Sequence, residues 1–324
     1  MALLNESTFP LIAGVLGGSI STITLLPLET IKVRMQVHDK QGERLASMRI
    51  IRGILKHEGI GGLYQGMTPA VMGSAVSWGG FFFVYENFKK LARQRKGLEK
   101  QSDLSSIDNF QIACASGAVM VFMTNPIWLI KLRMQLQMKK ASERLHTSHK
   151  PYNGLFDAAR TIVREEGFFA LYKGAGPALL LTSHGGVQFV VYEALKKRFN
   201  YARAERREDG KRSSVLERLR KSVGHLTMGA VSKIIASTTT YPLQLIKARV
   251  QQRSEFVELS SDGEVRVVKR DHRGVVSTII RTWQQEGITG FFKGAIPNAV
   301  RVAPSSALTF VVYEFVLDYL TQTT

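Results

Sequence analysis

The sequence predicts an all-α membrane protein with six transmembrane helices in three tandem repeats. Three observations predict this class: a proline motif that occurs three times, a Glu-Gly element that follows each copy, and long segments without charged residues. Composition does not predict it, since 44% hydrophobic residues and a mean hydropathy of −0.03 are ordinary for a soluble protein. Internal repeats therefore decide the architecture.

The first repeated element is a proline followed at fixed offsets by Lys, Arg and Gln. Its copies span Pro27–Gln36, Pro126–Gln135 and Pro242–Gln251. Four residue types that recur in the same register indicate three copies of one structural unit.

A second element follows each proline motif. It runs from Glu58-Gly59 to Tyr64-Gln65-Gly66, from Glu166-Gly167 to Tyr172-Lys173-Gly174, and from Glu286-Gly287 to Phe292-Lys293-Gly294. Each repeat then closes on a Tyr-Glu pair: Tyr85-Glu86, Tyr192-Glu193 and Tyr313-Glu314. We therefore predict a single transmembrane domain over residues 1–324, divided into repeats 7–95, 105–200 and 218–320.

Each repeat also contains two long apolar segments. No charged residue lies between Glu6 and Glu29, or between Asp108 and Lys131. Both gaps are long enough to span a membrane, because about 20 helical residues cross a bilayer core. Two further segments begin at Pro69 and Pro177 and contain no formal charge. The last two lie near 223–250 and 297–316, and Lys233 and Arg301 interrupt them.

A short amphipathic stretch lies between the two apolar segments of each repeat. Residues 154–164 and 274–283 place apolar side chains at helical spacing, and residues 47–57 do so less clearly. Helices of this kind lie along a membrane surface.

The net charge of +18 indicates an anionic partner. Anionic lipid or an anionic solute fits the scattered basic residues, whereas a nucleic-acid-binding protein would cluster them with aromatic residues on one face. The single cysteine, Cys114, excludes internal disulfides. The N-terminus fits neither a secretory signal nor an Arg-rich transit peptide. No phosphate loop, metal-ligand spacing or nucleophile elbow is present, so we expect neither an enzyme nor a metal site.

The proline motif, with its acid, basic and glutamine positions, resembles the signature of the mitochondrial carrier family, and the resemblance extends over about residues 7–320. It implies six tilted helices with threefold pseudosymmetry, cytosolic termini, a monomer, and alternating access in the mitochondrial inner membrane, with the peroxisomal membrane as the alternative. It also implies bound cardiolipin at helix N-termini near Gly174 and Gly294, and near Gly154 and Gly274. Proline removes a backbone donor, so Pro27, Pro126 and Pro242 are expected to kink their helices.

The resemblance also implies two gates. At the matrix gate Glu29 would pair with Lys131, but Trp128 and Gln244 replace the other two acids. This leaves Lys247 without an anionic partner and Lys32 facing an amide. At the cytosolic gate the implied pairs are Glu86–Lys196 and Glu314–Lys89, and Glu193 has no partner.

The second motif, Asn125-Pro-Ile-Trp128, resembles the carrier branch for FAD, folates, NAD, coenzyme A and pyrimidine nucleotides. Two further stretches, Gly73–Gly79 and Ser183–Phe189, are most similar to folate and FAD members. We therefore expect FAD or folate as the transported substrate, with NAD or coenzyme A as the alternative. By family position the substrate contacts are Gly73, Ser74, Leu181, Thr182 and Arg301, and Lys233, Trp78 and His184 are further candidates.

Overall fold

A computed structural model describes residues 9–38, 47–97, 104–145, 150–198, 215–259, 265–269 and 274–322. The side chain of Trp78 and residues His272 and Arg273 of one predicted lipid element lie outside these residues.

The described chain is almost entirely helical. The first repeat contains α1 (Phe9–Val37), α2 (Ser47–His57) and α3 (Met67–Arg95). The second contains α4 (Ser106–Leu136), α5 (Lys139–Arg144), α6 (Leu155–Glu166), α7 (Ala175–Leu180) and α8 (Ser183–Arg198). The third contains α9 (Val215–Thr239), α10 (Tyr241–Gln251), β1 (Glu255–Leu259), β2 (Val265–Lys269), α11 (Val275–Gly290) and α12 (Ala295–Gln322). Short 3₁₀ helices, Ile60–Tyr64 and Phe168–Tyr172, precede α3 and α7.

The long helices form a closed ring. α1 packs between α12 and α3, and α3 packs on α4. The ring continues through α7 and α8 to α9, which packs against α12. The predicted all-α membrane fold with three repeats is confirmed, and the ring encloses a cavity along its axis.

Four segments among the described residues are long and apolar enough to cross a membrane: Ala13–Val37, Ile60–Arg95, Ile107–Leu136 and Ala295–Thr321. The other two predicted spans differ from these. The fourth is broken between α7 and α8, where the hydroxyls of Thr182 and Ser183 donate to the carbonyls of Leu179 and Leu180. Such local bonds compete with the helical ladder. In the fifth span Lys233 lies inside α9.

The three motif prolines have different local structures. Pro27 and Pro126 lie inside α1 and α4, which continue through them. At Pro242 the helix is interrupted, because α9 ends at Thr239 and α10 begins at Tyr241. The third proline thus produces a break, and kinks at the first two stay a prediction.

The motif arginines, Arg34, Arg133 and Arg249, hold one end of the ring closed. Each Nε donates to the main-chain carbonyl of a motif glutamine in the next repeat: Arg34 to Gln135 at 3.2 Å, Arg133 to Gln251 at 3.0 Å, and Arg249 to Gln36 at 2.9 Å. The three bonds form a cycle that joins every repeat to the next. We call this end, at the motif glutamines, the closed end.

The same guanidinium groups also bind a glutamate of their own repeat. This glutamate is the one in the Glu-Gly element, which lies at or near the end of the surface helix. Arg34 pairs with Glu58 and Arg249 with Glu286, both at 2.8 Å, and Arg133 binds Glu166 through both of its terminal nitrogens. The Arg249 and Glu286 side chains are only 1% and 3% exposed. Each arginine therefore connects a long helix, a surface helix and the neighbouring repeat.

Glycines at the ends of the second repeated element permit close approach between repeats. Gly174 and Gly294 have φ angles of 78° and 85°. A Cβ at Gly174 would lie 2.8 Å from Gln251 Cγ of the third repeat, and one at Gly294 would lie 3.1 Å from the main-chain oxygen of Lys32 in the first repeat. Both the conformation and the contact exclude larger side chains.

A β-hairpin in the third repeat was not predicted. β1 and β2 are antiparallel, with Val257 opposite Val267. The hairpin reaches across to the second repeat, where Val257 packs with Met138 and Ala141. Arg253 next to it pairs with Glu165 at 2.5 Å.

We expect Arg249→Gln to destabilise the fold, because it removes the guanidinium donors to Glu286, Thr282 and the Gln36 carbonyl, although Lys293 still pairs with Glu286 at 2.7 Å. Loss of one hydrogen bond to a charged group costs about 1.5–3 kcal/mol. The thermal unfolding midpoint of the detergent-purified protein measures the loss. Arg52→Gln, at an exposed arginine of α2, is the matched control and should change stability by less than about 0.5 kcal/mol. Equal midpoints for the two variants would contradict this role.

A pH dependence follows from Glu166, which is 22% exposed and lies on the surface helix α6. Burial opposes its ionisation, but hydrogen bonds and charges from Arg133 and Lys173 prevail and lower the pKa of Glu166 from 4.5 to about 2. Because the folded pKa is lowered, this stabilisation is present above about pH 4.5 and is lost as the pH falls towards 2. It amounts to about 3 kcal/mol at 1.36 kcal/mol per pKa unit.

Thermal unfolding midpoints recorded between pH 3 and 7 test this dependence. Glu166→Gln should flatten the decline in the acid range, whereas Glu143→Gln, at an exposed carboxylate of α5, should leave it as in the parent protein. A Glu166→Gln curve parallel to that of the parent would refute the assignment.

Candidate functional site

A cavity of about 1070 Å³ runs along the ring axis and opens at the end opposite the closed end. Residues from α1, α3 and α12, among them Gly14, Glu86 and Tyr313, line its mouth. Its floor contains Glu29, Trp128, Lys131, Lys233 and Arg301. A second, smaller space of about 370 Å³ continues from the floor towards the closed end, and we call it the lower chamber.

One ion pair crosses the floor. Lys131 Nζ on α4 lies 2.7 Å from Glu29 Oε1 on α1, which is the pair expected from the sequence. The same ammonium group lies 4.8 Å from the centroid of the Trp128 ring. Trp128 therefore occupies the position of the missing acid with a ring face that a cation favours. The function of this pair as a gate stays a prediction.

The other two motif lysines lack a carboxylate. Lys32 Nζ donates to Gln244 Oε1 at 2.9 Å and lies 5.7 Å from the Tyr241 ring centroid. Lys247 lines the lower chamber, and among the described residues no carboxylate pairs with it. Among the described residues, one ion pair and one amide hydrogen bond thus join the motif lysines across the ring, and the arginine cycle adds three bonds between repeats.

Several predicted substrate contacts meet at the floor. Arg301 on α12 and Lys233 on α9 line both spaces, and Ser74 on α3 lines the larger one. The Nε of Arg301 is buried and has no hydrogen-bond partner in the part of the chain that the structure describes. A buried guanidinium donor without a partner is costly, so this group is available to an anionic ligand.

The remaining candidates lie elsewhere. Leu181 and His184 line the lower chamber, where His184 Nδ1 is 3.0 Å from Thr240 Oγ1. The methyl group of Thr182 faces Gly117 on α4. Gly73 packs against α4, since a Cβ there would lie 3.3 Å from the Trp128 ring. Gly73 and Thr182 therefore take part in helix packing, whereas Leu181 and His184 line the lower chamber.

The predicted cytosolic gate is not assembled. Glu86 lies 3.8 Å from Lys89 within α3, and neither of the predicted pairs, Glu86–Lys196 and Glu314–Lys89, is formed. Glu193 on α8 also makes no ion pair with a described residue. The cavity is open at this end, so these pairs stay predictions for a conformation closed there.

Cavity hydroxyls were missed by the sequence analysis. Ser21 on α1 and Ser305 on α12 are joined at 3.2 Å, and Thr22 and Thr309 also line the cavity. The four-residue spacing of Ser305 and Thr309 within an apolar segment was the signal available in the sequence.

Comparisons with known proteins agree with this architecture. The family described as mitochondrial carrier protein matches residues 6–96, 102–203 and 219–324. The chloroplastic folate transporter 1 of Arabidopsis thaliana is 38% identical over 314 residues, which cover 96% of this chain and 94% of that protein.

Two further relatives carry a different substrate name. Mitochondrial nicotinamide adenine dinucleotide transporter 1 of Saccharomyces cerevisiae is 33% identical over 317 residues, covering 96% of this chain and 77% of that protein. The peroxisomal nicotinamide adenine dinucleotide carrier of Arabidopsis thaliana is 28% identical over 325 residues, covering 94% and 93%.

We expect Gln244→Glu to stabilise the ligand-free protein, because it places a carboxylate beside the buried ammonium group of Lys32. Two unit charges about 4 Å apart gain roughly 1–4 kcal/mol, depending on the local dielectric. The thermal unfolding midpoint should rise accordingly. Gln284→Glu, at an exposed glutamine of α11, is the control for added charge. A lower midpoint for Gln244→Glu would show that Lys32 needs no anion.

Proposed function

The chain belongs to the mitochondrial carrier family, and from this premise we propose that it transports an anionic cofactor with a flat ring system, folate or FAD, by alternating access. The single observation that carries this proposal is the floor of the open cavity, where Arg301 and Lys233 lie beside Trp128. Charged groups in a membrane interior are costly and mark substrate sites.

The floor offers both kinds of contact that such a cofactor needs. The guanidinium group of Arg301 binds carboxylate or phosphate oxygens through paired donors, and its buried Nε supplies one of them. The half-buried ring of Trp128, which lines the cavity, would accept a pterin or isoalloxazine ring by stacking. A cavity of about 1070 Å³ lies at the upper end of the range for small-molecule sites, as a cofactor of this size requires.

The structure corresponds to one end state of the transport cycle. Substrate would enter from the open end, which family membership assigns to the cytosol, and would reach the floor beside Glu29 and Lys131. Substrate contacts at the floor that are stronger when the three motif helices are apart would then favour that conformation. Glu86, Lys89 and the other cytosolic residues would pair as the mouth closes.

A second candidate substrate is NAD. The sequence similarity to NAD carriers of yeast mitochondria and plant peroxisomes favours it, whereas the similarity to a plant folate transporter favours folate. The candidacy of FAD rests on the subgroup resemblance of the second motif. All three solutes are anionic and combine rings with a flexible tail, so one site can be tested with all of them.

The membrane, the oligomeric state and the bound lipid of the carrier are part of the same proposal. We place it in the mitochondrial inner membrane as a monomer, and relatives named for chloroplasts and peroxisomes make other organelle membranes the alternative. Cardiolipin is the proposed lipid at the helix N-termini preceded by Gly154, Gly174, Gly274 and Gly294.

Thermal unfolding of the detergent-purified protein against folate, FAD, FMN, NAD, coenzyme A and ATP tests the substrate. A ligand at a hundredfold excess over its Kd stabilises the folded state by about 2.7 kcal/mol, so we expect a raised midpoint with folate or FAD. Arg301→Ala should abolish the shift and the uptake of that solute into liposomes, and Arg52→Ala should preserve both. A shift with NAD alone would select the second candidate, and no shift with any of these solutes would overturn the proposal.

A further inference from the structure

The lower chamber has a large excess of positive charge. Among the described residues, five cationic side chains and one carboxylate line it: Lys32, Lys131, Lys233, Lys247, Arg301 and Glu29. Arg301, Lys131 and Lys247 each repel the ammonium group of Lys32, and Lys131 repels that of Lys247. Glu29 is bound to Lys131 at 2.7 Å and also attracts Lys32 and Arg301, but one carboxylate cannot balance five cations.

The other polar groups facing the chamber are neutral. They come from every helix packed around it: Gln36, Gln135, His184, Ser237, Gln244, Gln251 and Asn298. Gln244 already accepts from Lys32. The described residues therefore leave at least two cations in a membrane interior without a matching anion, which is an expensive arrangement.

Three buried donors at the chamber also have no hydrogen-bond partner among the described residues. They are the Nε2 atoms of Gln36 and Gln135, residues only 2% and 1% exposed, and the Nε of Arg301. Buried donors are normally paired, and each unpaired one costs about 1–3 kcal/mol. Excess cations and unpaired donors around one space of about 370 Å³ are together what an anion-binding site requires.

We propose that the lower chamber binds the doubly charged tail of the transported cofactor, and that Lys32 and Lys247 are specificity-determining residues that select such a tail. This inference rests on the proposed function and adds the class of substrate: a ring system for the floor, joined to a tail that carries two negative charges. Trp128 and Gln244 stand where the repeated motif has an acid at Glu29. The substrate tail thus supplies two negative charges at a gate where two of the three acidic positions are occupied by uncharged residues.

Binding would couple the substrate to the gate. The tail enters between α1, α4 and α10, which carry the three motif lysines, while the ring remains beside Trp128 in the larger cavity. A ring without the tail reaches the floor but leaves the cations of the chamber uncompensated. The folate tail ends in two carboxylates, and FAD and NAD each contain a pyrophosphate, so the chemistry is shared among the candidates.

Pairs of ligands that differ in the tail test the inference. Folate is compared with pteroate, which lacks the glutamate, and FAD with riboflavin, which lacks the pyrophosphate and adenosine. Dissociation constants are measured for the full-length parent protein, Lys247→Gln and Lys32→Gln. Lys56→Gln, at an exposed lysine of α2, is the matched control for loss of one positive charge.

In the parent protein we expect the tailed member of a pair to bind at least tenfold more tightly than its truncated partner. In Lys247→Gln and in Lys32→Gln this ratio should fall towards one, with the affinity for pteroate or riboflavin unchanged. The ligand-free unfolding midpoint of Lys247→Gln should be equal to that of the parent or higher, because a repelled cation is removed. A lysine with a purely structural role would lower the midpoint and weaken both ligands equally.

Two further measurements separate failure of the inference from failure of the proposed function. Gln244→Glu, which adds a fixed negative charge beside Lys32, should also reduce the tail preference. Inorganic pyrophosphate should stabilise the parent protein but not Lys247→Gln. This result would support anion binding in the lower chamber by a ligand that has no aromatic ring system. Binding of folate or FAD with a tail preference that survives in both lysine variants would overturn the inference alone. Absence of binding by every cofactor and by pyrophosphate would overturn both.

Discussion

Three arginines, two of them buried and one nearly so, hold the molecule together at one end of the helix ring. Each guanidinium group binds a carbonyl of the next repeat and the acid of its own surface helix, so the three bonds form a cycle around the axis. Because these donors and acceptors lie in a low-dielectric interior, each one must be satisfied or the end would open. This cycle brings the motif lysines, which lie two residues earlier on the same helices, to the axis of the ring.

The floor of the cavity depends on that position. One ion pair, between Glu29 and Lys131, spans the axis, and the other lysines meet an amide or no carboxylate among the described residues. The protein is thus closed there mainly by the outer arginine cycle and only weakly by the inner charges. The motif lysines are only partly neutralised, while the arginine cycle keeps this end closed. A substrate anion can therefore complete the charge balance beside the lysines.

The two ends of the ring have opposite chemical character. At the closed end the motif arginines are paired in a cycle, whereas at the open end Glu86 pairs with Lys89 on the same helix, and Lys89 also lies 5.3 Å from the Tyr85 ring centroid. The hairpin adds a further link at the closed end, since Val257 and Arg253 of the third repeat contact the second. Alternating access requires these contacts to exchange between the two ends, so the sum of their energies sets the balance between conformations.

Residue types at regular spacing are sufficient to predict the repeats and the long apolar helices. The Glu29–Lys131 pair and the amide opposite Lys32 were instead implied by the resemblance to the carrier family. The sequence did not reveal the break after Leu180, the hairpin, or the partners of Arg34, Arg133 and Arg249. Those partners lie one repeat or many residues away, and only packing brings them together. The lower chamber likewise depends on tertiary structure, since its excess of positive charge exists only where lysines from separate helices line one space.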